Sequence, residues 1–258
     1  MNVVRIMGGL GNQIFQYAFG QAMKEHGIEV FYDLSWFENH SKHDTHRTFN
    51  LDKLVSAIPI SLFTKQLSIH EREYNPSLLF LDEHNFIGYW QYLDYYDSIL
   101  PRLTETVKLR QGFYTEDYLM LRNRLETEET TSLHVRRGDY LTTPGFAVQK
   151  SAYYFEAIAR TSGTLVIFSD DLPWCKELFN QEYFKRELIF VELNEYLSWD
   201  LMRLCSNNII SNSSFSMTAA ALNENPTKKV IAPATWGLVE TTRTKEIRKH
   251  LPKDWILL

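Results

Sequence analysis

The run HVRRGDY at 134–140 places two adjacent guanidiniums behind a short apolar stretch and ahead of glycine, aspartate and tyrosine. Such a stretch reads as a buried strand, so Arg136 and Arg137 stand at its carboxyl end, where open parallel sheets bind ligands. A guanidinium fork matches the oxygens of a phosphate or carboxylate in pairs, and the spacing therefore predicts an anion site able to hold a diphosphate. One arginine is expected to face a cleft while the other pairs with Asp139; His134 and Tyr140 flank them. A surface ion pair and an RGD adhesion tripeptide are the competing readings, the second requiring extracellular exposure.

Three more stretches carry residues suited to the same task. FSDDLPW at 168–174 ends an apolar run in Ser169, Asp170 and Asp171, with Pro173 at a helix start. Paired carboxylates there suit a divalent metal, or one of them suits guanine by accepting from its N1 and exocyclic amine; helix capping by Ser169 or an aspartate is the plainer alternative. No D-x-D tripeptide occurs in the chain. SNSSFSMTAAALN at 211–223 turns through Ser213 and Ser214 into an alanine-rich helix carrying Phe215 and Ser216, whose open N–H groups make either an anion site or a serine cap. GGLGNQIFQYAFG at 8–20 occupies the place of a dinucleotide turn, with Gly9 and Gly11 in register but Ile14 where the third glycine belongs. Asp33 stands near the position of a ribose-binding acid, so an NAD-dependent oxidoreductase is a rival reading. The helix after the turn is apolar on nearly every side and must be buried, with Asn12, Gln13 and Gln16 at its first turn as sugar-binding amides, or with Asn12 as a cap.

The elements that would position these residues follow from periodicity and breakers. Residues 3–7 read as a strand, 13–26 as a helix ended by Gly27, and 28–33 as a second strand, a βαβ opening that implies a parallel sheet. Residues 34–125 alternate short helical and extended pieces, with FIGYWQY at 86–92 as an aromatic strand and a helix over 97–109 interrupted by Pro101. The acidic stretch RLETEETT at 124–131 is the expected linker. Beyond it strands and helices alternate regularly: strands in SLHV, TLVIFS, ELIFVE, NNIIS and KKVIAP, and helices over 152–160, 174–179, 196–205 and 215–222. The expected division is an N-terminal α/β domain at 1–127 and a C-terminal one at 128–258, each about the usual domain size.

The chain has 258 residues, 44% hydrophobic and 23% charged, with a net charge of -5, which excludes disordered and fibrous classes and argues against a nucleic-acid partner. An aromatic content of 14% suits a saccharide cleft and a large core equally. Cys175 and Cys205 sit in apolar helical patterns and are expected as reduced, buried thiols in a reducing compartment. The opening MNVVRIMGG starts a strand at once, and no run of about 18 apolar residues occurs, so neither a signal peptide nor a membrane span is expected.

Taken in order, GGLGNQIFQYAFG, HVRRGDY, FSDD, DLMRLCSNNIISNSSFS and KKVIAPATW resemble the bacterial α-1,2-fucosyltransferases of glycosyltransferase family 11. The resemblance implies a GT-B architecture, two facing Rossmann-like domains with parallel sheets. It implies an inverting reaction that needs no metal or other cofactor, with GDP-fucose in the C-terminal domain and a β-galactoside or oligosaccharide acceptor largely against the N-terminal one. By the resemblance Arg136 is the catalytic residue on the β-phosphate and His134 a neighbour on the nucleotide. Asp170 or Asp171 reads guanine, and Ser213, Ser214 and Phe215 lie beneath the diphosphate, with Ser169, Arg137, Asp139, Tyr140 and Ser216 completing the donor site. Gly9, Gly11, Asn12 and Gln13 belong to the acceptor side. A cytoplasmic protein follows, peripheral on the inner face of the membrane where the acceptor is lipid-linked. After SSFS the family shows two tryptophans, then glycine and alanine, whereas Met217, Thr218, Ala219 and Ala220 stand here, which makes a GDP-sugar-binding pseudoenzyme the non-catalytic alternative.

Overall fold

The computed structural model describes residues 1–38, 47–238 and 241–258, the side chains of Gln181, Thr242 and Arg243 excepted. In chain order the elements are β1 (Asn2–Arg5), α1 (Leu10–Lys24), β2 (Val30–Asp33), β3 (Leu67–His70), β4 (His84–Ile87), α2 (Leu100–Thr106) and α3 (Glu116–Thr127), with short 3-10 turns between β2 and α3. There follow β5 (Thr130–Val135), α4 (Ser151–Ala159), β6 (Thr164–Ser169), α5 (Leu172–Leu178), α6 (Gln181–Phe184), β7 (Leu188–Phe190), α7 (Glu195–Leu204), β8 (Asn207–Ile209), α8 (Ser214–Ala221), β9 (Val230–Ala232), α9 (Thr242–Lys249) and β10 (Ile256–Leu257).

The strands form two sheets, parallel in every named pairing. The first has the order β2-β1-β4-β3 and the second β10-β9-β8-β5-β6-β7. In each, the chain builds outward on one side of its first strand and then returns to the other side. The reversal falls between β1 and β4 in the first sheet and between β5 and β8 in the second. At such a point the loops leaving the carboxyl ends of neighbouring strands diverge and open a crevice. The loops concerned are 6–9 and 88–92 in one sheet, 136–150 and 210–213 in the other.

Several sequence expectations are corrected. The helix of the glycine stretch begins at Leu10, not residue 13, because Gly9 serves as its N-cap in extended conformation. The aromatic strand ends at Ile87, since Trp90 takes a positive φ of 53° and leads the chain into 3-10 turns. Pro101 does not interrupt α2 but sits in its first turn, where its missing N–H costs nothing. The acidic linker is taken up by regular elements: α3 runs to Thr127, β5 starts at Thr130, and only Glu128 and Glu129 separate them. β3, α9 and β10 are elements the sequence reading did not name, and the part of the expected alternation at 39–46 lies outside the described residues.

One apolar core joins the halves. Phe15, Phe19, Tyr32, Phe86 and Trp90 from the first sheet's layer belong to the same buried cluster as Trp199, Met202, Met217 and Ala219 from α7 and α8. Phe19 stacks on Trp90 with ring centroids 4.1 Å apart. A second cluster, including Leu133, Tyr154, Ile167, Cys175 and Phe179, fills the far face of the second sheet. The two cysteines are free and buried, as expected. The carboxylate of Asp200 ties the halves further: it accepts from Tyr118 Oη on α3 (2.6 Å), the Leu109 N–H (3.2 Å) and Arg203 (3.0 Å). The chain finally returns to the first half, with His250 Nδ1 2.6 Å from Asp94 Oδ2. Among the described residues no helix is long and apolar enough to cross a membrane.

Candidate functional site

β5 is buried along its whole length, and the chain leaves it at Arg136. The Arg136 guanidinium is part-buried and lies between two carboxylates: Nη2 donates to Asp139 Oδ1 (2.6 Å), and Nη1 is 3.0 Å from Asp170 Oδ2. Its plane sits over Tyr140, 5.2 Å from the ring centroid. Its Nε is buried with no hydrogen-bond partner among the described residues. Arg137 turns the other way. It lies 4.0 Å over Trp174 and donates from Nε to Asp171 Oδ2 (2.9 Å), away from the cleft lining. The expected division of labour is thus corrected: the arginine facing the cleft is the one that holds Asp139, and its neighbour pairs with Asp171.

The FSDD stretch separates in the same manner. Asp171 caps α5 through Trp174 N–H (3.2 Å), and the Arg137 hydrogen bond holds its carboxyl below the usual range. Asp170 lines the cleft and accepts the Arg137 N–H (2.9 Å) besides meeting Arg136. Gly138 lies close against the Asp170 carboxylate, and a Cβ there would push that carboxylate from its place. Ser169 Oγ accepts the Asp171 N–H (2.9 Å) at the cleft edge.

His134 is 5% exposed and hydrogen-bonds through Nδ1 to Ser211 Oγ (2.8 Å). Burial, reinforced by the Arg136 charge, pulls its pKa down to about 3, so the ring is neutral across the physiological range. It lies 5.4 Å from Phe215. Tyr140 donates to the Asn212 carbonyl (3.1 Å) and stacks on Phe146, and burial pushes its phenol up to about 12. α8 begins beneath these groups with Ser213 as N-cap, its Oγ accepting from Phe215 N–H. Ser213, Ser214 and Phe215 line the cleft; Ser216 does not, because its hydroxyl is buried and donates to the Ser213 carbonyl. Met217, Thr218, Ala219 and Ala220 are likewise buried and away from the lining, with Thr218 Oγ1 accepting from Trp199 Nε1 (3.0 Å). These four residues thus pack into the core beside Trp199 and not on the cleft wall.

The glycine stretch forms the facing wall. Gly11 packs directly on α8: a Cβ there would overlap the backbone of Ser214 and Phe215. Asn12 does not cap α1; its Oδ1 accepts from Ser214 Oγ (2.6 Å) and Gln91 Nε2 (2.7 Å), joining the halves across the cleft. Gln13 lies outside the lining, because it is fully buried and its amide holds Gly8 and Thr48 carbonyls and the Asn50 and Leu51 N–H groups. Asp33 is also outside it, neutralised by Arg5 at 2.8 Å.

The resulting cleft has a volume of about 820 Å³, in the range of small-molecule sites, with walls from both halves. Sequence reasoning missed several of its lining residues, among them Arg47, Tyr89, Glu195 and Trp236. Arg47 donates to Asp139 Oδ2 (3.2 Å), and Glu195 accepts from Asn50 Nδ2 (2.5 Å), both across the gap. Tyr89 and Trp236 fall within the stretches FIGYWQY and KKVIAPATW, which carried no site reading of their own, whereas Arg47 and Glu195 belong to no local pattern and are brought here only by chain packing. Among the described residues no group of three or more His, Cys, Asp or Glu side chains could hold a metal ion. What the cleft offers is a guanidinium flanked by carboxylates, a neutral imidazole and the N-terminus of a helix, a set suited to a nucleotide diphosphate.

The chain is similar to known proteins in fold and in sequence. The crystal structure of POFUT1 in complex with GDP superposes with a TM-score of 0.54 at 11% identity, covering 90% of this chain and 97% of that one, and the fold is GT-B. The O-antigen biosynthesis glycosyltransferase WbnK of Escherichia coli is 31% identical, covering 90% of this chain and 93% of the relative. An α-1,2-colitosyltransferase of Escherichia coli is also 31% identical, covering 98% and 97%. The family model for glycosyl transferase family 11 matches residues 1–258, and the chain accordingly belongs to that family of glycosyltransferases.

Proposed function

We propose that the protein is an inverting glycosyltransferase that moves fucose from GDP-β-L-fucose to the 2-hydroxyl of a β-galactoside, forming an α-1,2 linkage in O-antigen-type polysaccharide. The observation that carries the reading is Arg136, set at the carboxyl end of β5 over the start of α8, with a buried Nε that lacks a partner among the described residues. In this reading the acceptor hydroxyl attacks the anomeric carbon from the face opposite GDP, through an oxocarbenium-like state. The leaving diphosphate is weakly basic and needs no general acid, so its growing charge is what the site must stabilise, while the acceptor hydroxyl gives up its proton to solvent in the cleft as the new bond forms. Arg136 and the α8 N-terminus stabilise the β-phosphate as its charge grows, more in the transition state than before it.

His134 faces the nucleotide as a neutral group, and Asp170 reads guanine, since a carboxylate retains lone pairs after taking Arg136 and the Arg137 N–H. Ser213, Ser214 and Phe215 lie beneath the diphosphate, and Arg137, Asp171 and Ser216 hold the frame. Gly9, Gly11 and Asn12 form the acceptor side, and no metal takes part. Met217–Ala220 lie within α8, buried and off the cleft lining, which favours an active enzyme over a pseudoenzyme.

The 31% identity to an α-1,2-colitosyltransferase favours a second reading, in which the transferred sugar is colitose on the same nucleotide. The test is GDP release and product linkage with GDP-fucose or the colitosyl donor, over a panel of β-galactosides in EDTA. An α-1,2-linked product undiminished by EDTA is expected; the faster donor names the sugar. GDP release that needs an added divalent ion, or no transfer from either donor, overturns the reading.

A further inference from the structure

We propose that Arg47 is a positioning residue for donor binding: it holds Asp139 so that Arg136 can release that carboxylate and grip a diphosphate. The inference rests on the donor reading above and adds a residue that no sequence motif marks.

Arg136 carries more negative charge around it than it can neutralise, with Asp139 on Nη2 and Asp170 on Nη1. One cation between two carboxylates would leave a formal charge of about -1 and repel an incoming diphosphate unless a second cation shared the load. The arrangement of the guanidinium shows which carboxylate must yield. Nε and Nη2 share one edge of the plane, the edge that receives two oxygens side by side. Asp139 occupies Nη2 on that edge, while the Nε beside it has no partner among the described residues. Asp170, on Nη1, can stay.

Releasing Asp139 into the cleft without a partner would leave an uncompensated carboxylate in a part-buried site. Arg47 prevents this. It comes from the first half of the chain, lines the cleft, and donates from Nη2 to Asp139 Oδ2 (3.2 Å), the oxygen that Arg136 does not use. Asp139 is therefore bridged between two guanidiniums from opposite walls. When a diphosphate oxygen takes Nη2 of Arg136, Asp139 keeps Arg47, and the full Nε–Nη2 edge opens to the ligand. Asp139 exposes 29% of its side chain, enough freedom for the small rotation required.

The test is a double-mutant cycle on GDP binding by calorimetry, with the unaltered protein, Arg47→Ala, Asp139→Asn and the double variant. Arg47→Ala is expected to weaken GDP by about tenfold, and by less than about twofold once Asp139→Asn has removed the charge to be held. Arg47→Lys, which keeps a cation for one carboxylate oxygen, is expected to recover most of the loss. Equal losses in both backgrounds would mean that Arg47 touches the donor or props the loop, and would overturn the inference. Unchanged affinity in Arg47→Ala would overturn it as well. Absence of GDP binding to the unaltered protein would instead remove the donor reading, and this inference with it.

Discussion

Arg136 concentrates the consequences at the scale of single residues. Loss of one preorganised donor to developing charge costs about 2–4 kcal/mol, so Arg136→Ala is expected to lower kcat/KM by about two to three orders of magnitude. Arg136→Lys should lose much of that too, because an ammonium cannot present two donors in a plane to the diphosphate. Steady-state transfer assays measure both; a lysine variant with full turnover would remove Arg136 from its role. His134 makes a prediction about stability. Its pKa is 6.5 in an unfolded chain and about 3 in the fold, so between these values the unfolded state binds a proton that the native state refuses. Stability should therefore fall as pH drops below about 6.5, by about 1.4 kcal/mol per pH unit from this group, with no contribution above that pH. Urea unfolding at pH 7 and pH 5 should show a steeper loss in the parent than in His134→Asn.

At the scale of elements, the contact of α1 with α8 decides the shape of the cleft. Both helices start at carboxyl ends of strands beside a reversal of strand order, and Gly11 allows their first turns to touch backbone to backbone. Overpacking such a contact typically costs about 1–3 kcal/mol. Gly11→Ala is expected to lower the melting temperature by several degrees and to weaken nucleotide binding, because the α8 start must shift. Calorimetric melting and GDP titration of that variant check this, and an unchanged melting temperature would show that the two helix starts yield freely. The same contact weighs against a dinucleotide at the glycine turn, since Ser214 and Phe215 pack directly beside Gly11.

For the whole molecule, the cleft is bounded by two halves that share a core, yet several polar links cross it: Asn12 to Ser214, Asn50 to Glu195 and Arg47 to Asp139. A ligand gripped by both walls stabilises the native state by mass action, about 2.7 kcal/mol at a concentration one hundred times its Kd. GDP is therefore expected to raise the melting temperature by several degrees, and NAD to leave it unchanged, in thermal scans at matched concentrations. The reverse order would favour the oxidoreductase reading over the donor site proposed for this family member.

What the sequence determined by itself was local. Strand and helix alternation, the parallel α/β class and the ligand-bearing motifs were legible because buried parallel strands are apolar throughout, and because arginines, aspartates and serines at strand ends stand out against them. HVRRGDY and SNSSFS could be read as an anion site before any contact was known. The tertiary structure decided how that chemistry is divided: which arginine faces the cleft, that Asp170 lines it while Asp171 caps a helix, and that Gln13 and Asp33 serve the frame. It also supplied Arg47 and Glu195, which lie in the sequence far from the residues they meet. The physical reason is that adjacent residues of one type have the same local signature. Only the tertiary packing, including the close approach of one wall to the other at Gly11, fixes which of them can reach a ligand.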